Sequence, residues 1–290
     1  MLPSPVNNDP NSEAEKSWAF LDPTEEEAKA KLAPSLEGFR FLSWNLCSAA
    51  WFAQFVPVAS AEAMTPRSES NRLAGILLKR VITDFRAIWC TVNIGYTSQA
   101  ACIAAAMFEN ALLLAAIASN PTRTRQVLSR GPEQIPWGVK ELCRFDAERL
   151  ADEYPEAGSN RGVRIKTGTD ALYATYQWLC QLKHPTLPSA LHDSGGTKMA
   201  SGFYIIAVAP NTRDEDLLLK RHVLLVSASR ARDAIEAFLR SHAPDTTAKE
   251  YADVKEFLRR ADEKIVEEIR SQQKSGPVPV MLPPSKRGGI

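Results

Sequence analysis

Apolar positions along this chain gather into long runs with helical spacing, and the most apolar run lies near the middle. From Ala100 to Ala118 every residue is apolar except Glu109 and Asn110. A segment that is apolar on all sides is a helix enclosed by its neighbours, not a surface helix with one apolar stripe. The pattern therefore predicts a bundle built around Gly95 to Asn120. Glu109 must be protonated, paired or turned to a wet edge, because an unpaired buried charge is very costly.

The flanking segments follow the same period. Residues 1–22 are rich in proline and asparagine without periodicity and read as a flexible arm. An N-terminal helical segment, 23–68, comes next. Thr24 and Glu27 have capping-box spacing, which predicts a short helix ending before Pro34. A second helix runs from about Leu36 to Phe55, with Trp44, Leu46, Trp51, Phe52 and Phe55 as packing residues, and Pro57 stops it. The main bundle is read over 69–242. Its first helix spans Asn71 to Asn93, and the Gly95-Tyr96 turn folds it back on the central helix as an antiparallel hairpin, with Thr97 or Ser98 as cap. Arg80 or Arg86 on the first arm is the natural partner for Glu109.

Asn120-Pro121 is a helix stop and restart. Pro136 to about Glu153 reads as a further amphipathic helix. Residues 154–168, rich in glycine, proline and charge, read as a loop, and Thr169 or Asp170 caps a helix to about Lys183. His184-Pro185 ends it. The FYIIAV run at 203–208 reads as one or two buried helical turns. Asp214 to Ser241 is a long helix, and Ala243-Pro244 breaks it. The last helix, 246–274, carries Tyr251, Val254, Leu258, Ala261, Ile265 and Ile269 near heptad spacing. That stripe suits packing on its own bundle, or self-association as a coiled coil. Residues 275–290 form a proline- and glycine-rich tail without periodicity. Helical signals dominate, so the fold class is all-α: an irregular helical bundle around a central buried hairpin.

Composition narrows the function classes. The 290 residues are 44% hydrophobic and 24% charged, with formal net charge +1. A chain that neutralises phosphates along nucleic acid usually carries a basic excess, so nucleic acid is an unsupported partner. The five cysteines are far apart and form no CxxC pair, as expected of reduced thiols in a cytoplasmic protein. No signal-peptide pattern opens the chain. The central run is long enough to span a membrane, but its acid at mid-length favours a buried bundle helix.

Chemical motifs are sparse. There is no P-loop, no G-x-G-x-x-G, no H-E-x-x-H and no G-x-S-x-G, and no Glu-x-x-His pairs of the di-iron kind. Cys180 and His184 stand four apart, with His192-Asp193 nearby. The alternative places Cys180 in the core and His184 at a helix end, where its charge suits the dipole. No second Cys/His pair completes a zinc site, so no metal and no cofactor is expected. Ser194, Gly195, Gly196 and Lys198 form a loop able to cradle an anion. Glu109, Arg86, Tyr176 and His184 are the candidates for catalysis, should they gather between the central helices.

Two stretches resemble an uncharacterised bacterial all-helical family over roughly residues 71–241: Gly95-Tyr96 leading through small residues to Glu109, and Tyr176 through Cys180 to His184-Pro185. In that family an arginine precedes the glutamate by a few residues; alanine and methionine stand there in this chain. The bundle outline is similar to the HEPN superfamily, whose ribonuclease members use Arg-x(4–6)-His. No histidine here follows an arginine at that spacing. The resemblance implies fold more than activity. The leading expectation is a non-enzymatic binding or regulatory protein, one half of a bacterial defence or mobile-element system, that engages a protein partner or a second copy through the 246–274 helix. The rival expectation is an atypical HEPN-like enzyme acting on RNA or a nucleotide.

Overall fold

A computed structural model describes residues 10–59, 68–118, 120–130, 135–153, 155, 160–183 and 210–274. The described residues form eight α-helices and no strand. They are α1 (Pro10–Ala53), α2 (Ser68–Asn93), α3 (Thr97–Ala118), α4 (Pro121–Ser129), α5 (Val139–Glu153), α6 (Arg161–Lys183), α7 (Leu217–His242, entered through a 3-10 turn, Asp214–Asp216) and α8 (Lys249–Lys274). The chain is all-α.

The central apolar run is α3, and it occupies the middle. α2, α7, α6 and α5 pack around it, burying Ala101, Ala105, Met107, Phe108, Leu112, Leu114 and Ile117 almost completely. α3 is the one helix among the described residues long and apolar enough to cross a membrane. Its alanines let the neighbouring helices come close. The α2–α3 hairpin closes on Gly95, whose φ of +93° belongs to the left-handed side that glycine adopts without a Cβ penalty. The Gly95 N–H donates to the Val92 carbonyl at 2.9 Å and the Tyr96 N–H to the Thr91 carbonyl at 3.0 Å, a Schellman closure of α2. The Thr97 hydroxyl is buried without a hydrogen-bond partner among the described residues, so it is not the cap that its position suggests.

α1 departs from the expected break. It runs 44 residues through Pro23 and Pro34 instead of ending before Pro34, and it is already helical at Pro10, inside the expected arm. Each proline removes the N–H that would bond the carbonyl four residues back. Those carbonyls belong to Ala19 and Ala30, both on exposed residues, where water can take the missing donor's place. The buried side of α1, including Leu36, Phe39, Leu42, Leu46 and Ala49, joins one continuous core with the central helices and α8.

α6 also begins earlier than expected, at Arg161 rather than Thr169. Asn160 Oδ1 accepts from the Gly162 N–H at 2.8 Å. Thr169 lies inside the helix, where its hydroxyl donates to the Ile165 carbonyl at 2.7 Å. Gly168, which favoured a loop in the sequence, is a packing device. A Cβ there would approach Ala147 Cβ to 3.2 Å, so the glycine lets α5 and α6 touch.

α8 lays Val254, Leu258, Ala261 and Ile265 into the bundle, against α1 and α7. This heptad stripe is used inside the chain. Val266 and Ile269 stay exposed on the outer side. The α7–α8 turn is tied to the end of α1: the Ala59 N–H donates to the Ala243 carbonyl at 3.1 Å, and the Asp245 N–H to the Pro57 carbonyl at 2.7 Å. Asp245 then caps the turn into α8, accepting from the Thr247 N–H at 2.9 Å.

Candidate functional site

Glu109 and Tyr176 are brought together. The Tyr176 hydroxyl donates to Glu109 Oε1 at 2.7 Å, joining the middle of α3 to α6. Both side chains are half-buried. Burial first, then the hydrogen bonds to Glu109 and Cys180, raise the Tyr176 phenol above its ordinary value. It is therefore a firmly protonated donor, not a base. Its ring lies against Phe108, with centroids 6.1 Å apart. The carboxylate that the sequence marked as an anomaly is thus accounted for by a neutral hydroxyl.

Neither expected arginine meets Glu109. Arg80 Nε donates to Asp84 at 2.9 Å, four residues along its own helix. Arg86 faces α1, beside Cys47. His184 and the loop of Ser194, Gly195, Gly196 and Lys198 lie outside the described residues, as do His192, Asp193, the 203–208 run and the 275–290 tail. No group of three metal-ligating side chains occurs among the described residues.

An ionic network links α5, α7 and α8. The Asp146 carboxylate, 1% exposed, accepts from Arg149 at 2.8 Å and from Arg230 at 3.0 Å. Burial pushes this carboxyl up, but Arg230 and Arg149 together hold it below the usual carboxylate value. Arg230 also meets Asp233 at 2.6 Å and lies 5.4 Å from the Phe108 ring centroid. Arg232 forks onto Asp262 at 2.9 and 3.1 Å, and Lys255 reaches Glu236 at 2.6 Å. A groove of about 520 Å³ between α7 and α8 is lined by Glu236, Lys255 and Asp262, with Arg259, Val266 and Arg270. Its charges are mostly satisfied by one another. This is the ion-pair arrangement of helices holding their register, with little left over for a ligand.

A second concavity, of about 490 Å³, lies between α1 and α2 and differs in kind. Arg40, Phe41, Trp44 and Cys47 line it from α1, and Arg86 and Trp89 from α2. Arg40 is paired with Glu37. Arg86 is exposed and has no carboxylate partner among the described residues. Burial raises the Cys47 thiol above its ordinary value, although Arg86 and a hydrogen bond with Ser43 act the other way. Cys47 therefore stays a neutral thiol on the wall. Two of its lining residues belong to a set of exposed aromatics on α1 and the turn after it: Phe41 is 42% exposed, Trp44 56%, Trp51 62% and Phe55 54%.

Trp44, Trp51 and Phe55 were expected to pack in the core, and the structure turns them outward. Their spacing held the signal. Leu36, Phe39, Leu42, Leu46, Ala49 and Ala53 form one helical stripe, which faces the core. Phe41, Trp44 and Trp51 form a second, offset stripe on the same helix, and Phe55 follows in the turn just past its end. A helix on the outside of a bundle needs only one apolar stripe, so the second marks another surface.

No protein-family model, curated protein or solved structure matches this chain.

Proposed function

We propose that this chain is a non-enzymatic helical binding protein of the cytoplasm whose working surface is the outer face of α1. The observation that carries this is the row of solvent-facing Phe41, Trp44, Trp51 and Phe55. Large aromatic side chains left exposed in line are what interaction surfaces are made of. The five described cysteines are all free thiols, which supports a reducing location. The outer edge of α8, with Val266 and Ile269, is the remaining surface for a second copy, since the inner stripe is already covered. A role as the regulatory half of a two-component defence or mobile-element system fits this reading.

A photocrosslinking amino acid at Trp51 or Phe55, in the cell of origin, tests it. The expected result is one discrete crosslinked species that a second substitution, Trp44→Glu, removes. Crosslinking no stronger than from the exposed position Lys249 would overturn it.

The second reading, an atypical enzyme acting on RNA or a nucleotide, is favoured by the Glu109–Tyr176 bond alone. Its test is turnover of RNA, ATP and GTP. If the wild-type protein shows an activity that both Tyr176→Phe and Glu109→Gln abolish, the enzyme reading takes first place.

A further inference from the structure

We infer that the concavity between α1 and α2 is a nucleotide site, with Arg86 as its phosphate group receptor and Trp44 with its aromatic neighbours as its stacking wall. This rests on reading the α1 face as a binding surface, and names the ligand class it takes.

Four observations converge on it. First, the size fits: about 490 Å³ falls within the range of pockets that enclose small ligands, roughly 300–1,000 Å³. Second, the walls are aromatic on both helices, with Phe41 and Trp44 from α1 and Trp89 from α2. Every base has a π-face, so aromatic walls hold nucleobases without demanding a particular one. Third, the charge is of one sign. Among the described residues no carboxylate lines the cavity, whereas two guanidiniums do. Fourth, those guanidiniums are unequal. Arg40 is tied to Glu37, while Arg86 has no carboxylate partner among the described residues. An arginine is the side chain whose planar fork matches two phosphate oxygens. Left uncommitted beside tryptophan rings, it is placed for an anion attached to a flat ring.

The ionic groove between α7 and α8 is a useful contrast. It is slightly larger, at about 520 Å³, but its lining carboxylates and cations neutralise one another and it has no aromatic wall. Volume alone does not separate the two cavities; the uncommitted cation and the rings do.

The same chemistry is offered by a free mononucleotide and by one residue of a single strand. Calorimetric titration of the full chain with AMP, UMP, adenosine, inorganic phosphate and a single-stranded dodecamer of uridylate distinguishes them. AMP and UMP are expected to bind with similar affinity, and adenosine and phosphate each about tenfold or more weakly, since each keeps half of the contacts. Arg86→Gln is expected to bring AMP down to the affinity of adenosine. It should fold normally, because Arg86 is exposed and holds no ion pair. Trp44→Ala should weaken AMP by about tenfold. Trp44 also packs edge-on to Phe257, with centroids 5.7 Å apart, so its fold is checked by circular dichroism, and Arg86→Gln carries the test if it fails.

If the natural ligand is a strand, the dodecamer binds more tightly than AMP and loses affinity in the same variants. If it is a free nucleotide, the dodecamer gives no saturable heat while AMP does. Absence of saturable binding by AMP, UMP and dodecamer alike overturns the inference, as does AMP binding that Arg86→Gln leaves unchanged. The crosslinking at Trp51 and Phe55 is indifferent to these outcomes, so the nucleotide site can fail while the binding face stands.

Discussion

Gly95 sets the direction of α3 with a single backbone torsion, and its surroundings make the position intolerant. Its φ of +93° is one that side chains with a Cβ resist. Space is closed as well. A Cβ there would lie 2.9 Å from Pro210 Cβ and 3.0 Å from the Asn211 backbone nitrogen, and that nitrogen already donates to the Gly95 carbonyl at 3.1 Å. Gly95→Ala is expected to cost about 2–4 kcal/mol, from strain plus backbone displacement. Urea unfolding should show a lower midpoint at unchanged slope, and a midpoint equal to wild type would remove this account of the turn. Gly138 is the control, since nothing lies within 4 Å of a Cβ built on it. The Gly95-Tyr96 turn and the Asn120-Pro121 restart were legible in the sequence because they are local. In the second, the Asn120 side chain accepts from the Arg123 N–H at 3.1 Å, with proline at the first helical turn. The partner of Glu109 was not legible. A carboxylate selects a cation in a sequence argument, yet packing presents Tyr176 from a helix 67 residues away.

At the scale of the element, α1 shows where local rules yield to tertiary packing. Proline in a helix interior costs about 3 kcal/mol by itself, which is why the sequence argues for a break at Pro34. The core stripe on either side, Leu32 and Leu36 at 4% and 0% exposure, holds the helix together across it, while the freed Ala30 carbonyl stays at the surface. The residual cost is recoverable. Pro34→Ala restores the missing N–H donor, against a smaller loss from the freer unfolded chain. It should raise stability by about 1–2 kcal/mol, read as a higher urea midpoint. A lower midpoint would mean that the proline is locking a bend the bundle needs. α6 teaches the converse. Gly162 and Gly168 read as loop residues because glycine disfavours helices, but Gly168 is selected by the approach of Ala147, a contact that no single-helix pattern contains. The central helix and the α8 stripe were legible because their periodicity and their burial agree. The aromatic row of α1 was visible as residues but misassigned in direction, since apolar character was taken to mean core.

Among the described residues, the buried carboxylates Asp84, Asp146 and Glu268 are paired, whereas a buried lysine at the start of α7 is not. Asp146, Arg230 and Arg232 each have partners on another helix. Lys220 is fully buried, and its ammonium has no hydrogen-bond partner among the described residues. Burial drives the Lys220 amine down to about 8 from 10.5; Asp216 and Glu215 pull it up and Arg213 pushes it down. Because the folded value lies below the unfolded one, the unfolded chain binds the proton more tightly between them. Stability therefore rises as pH climbs from about 8 to 10.5, and the neutral form's advantage is lost as pH falls back through 8. At pH 7 the folded state carries the cost of the buried charge, roughly 3 kcal/mol by the gap between the two values. Lys220→Met, of similar length and without charge, should accordingly be more stable than wild type at pH 7 by up to that amount. The difference should shrink steadily towards pH 10.5, where both chains unfold from an uncharged side chain. Urea midpoints of the two proteins at intervals between pH 7 and 10 measure it. An offset that stays constant over that range would show that methionine merely packs better, and that Lys220 titrates in the fold as it does in the unfolded chain. A variant less stable than wild type at pH 7 would show instead that the ammonium holds the bundle together.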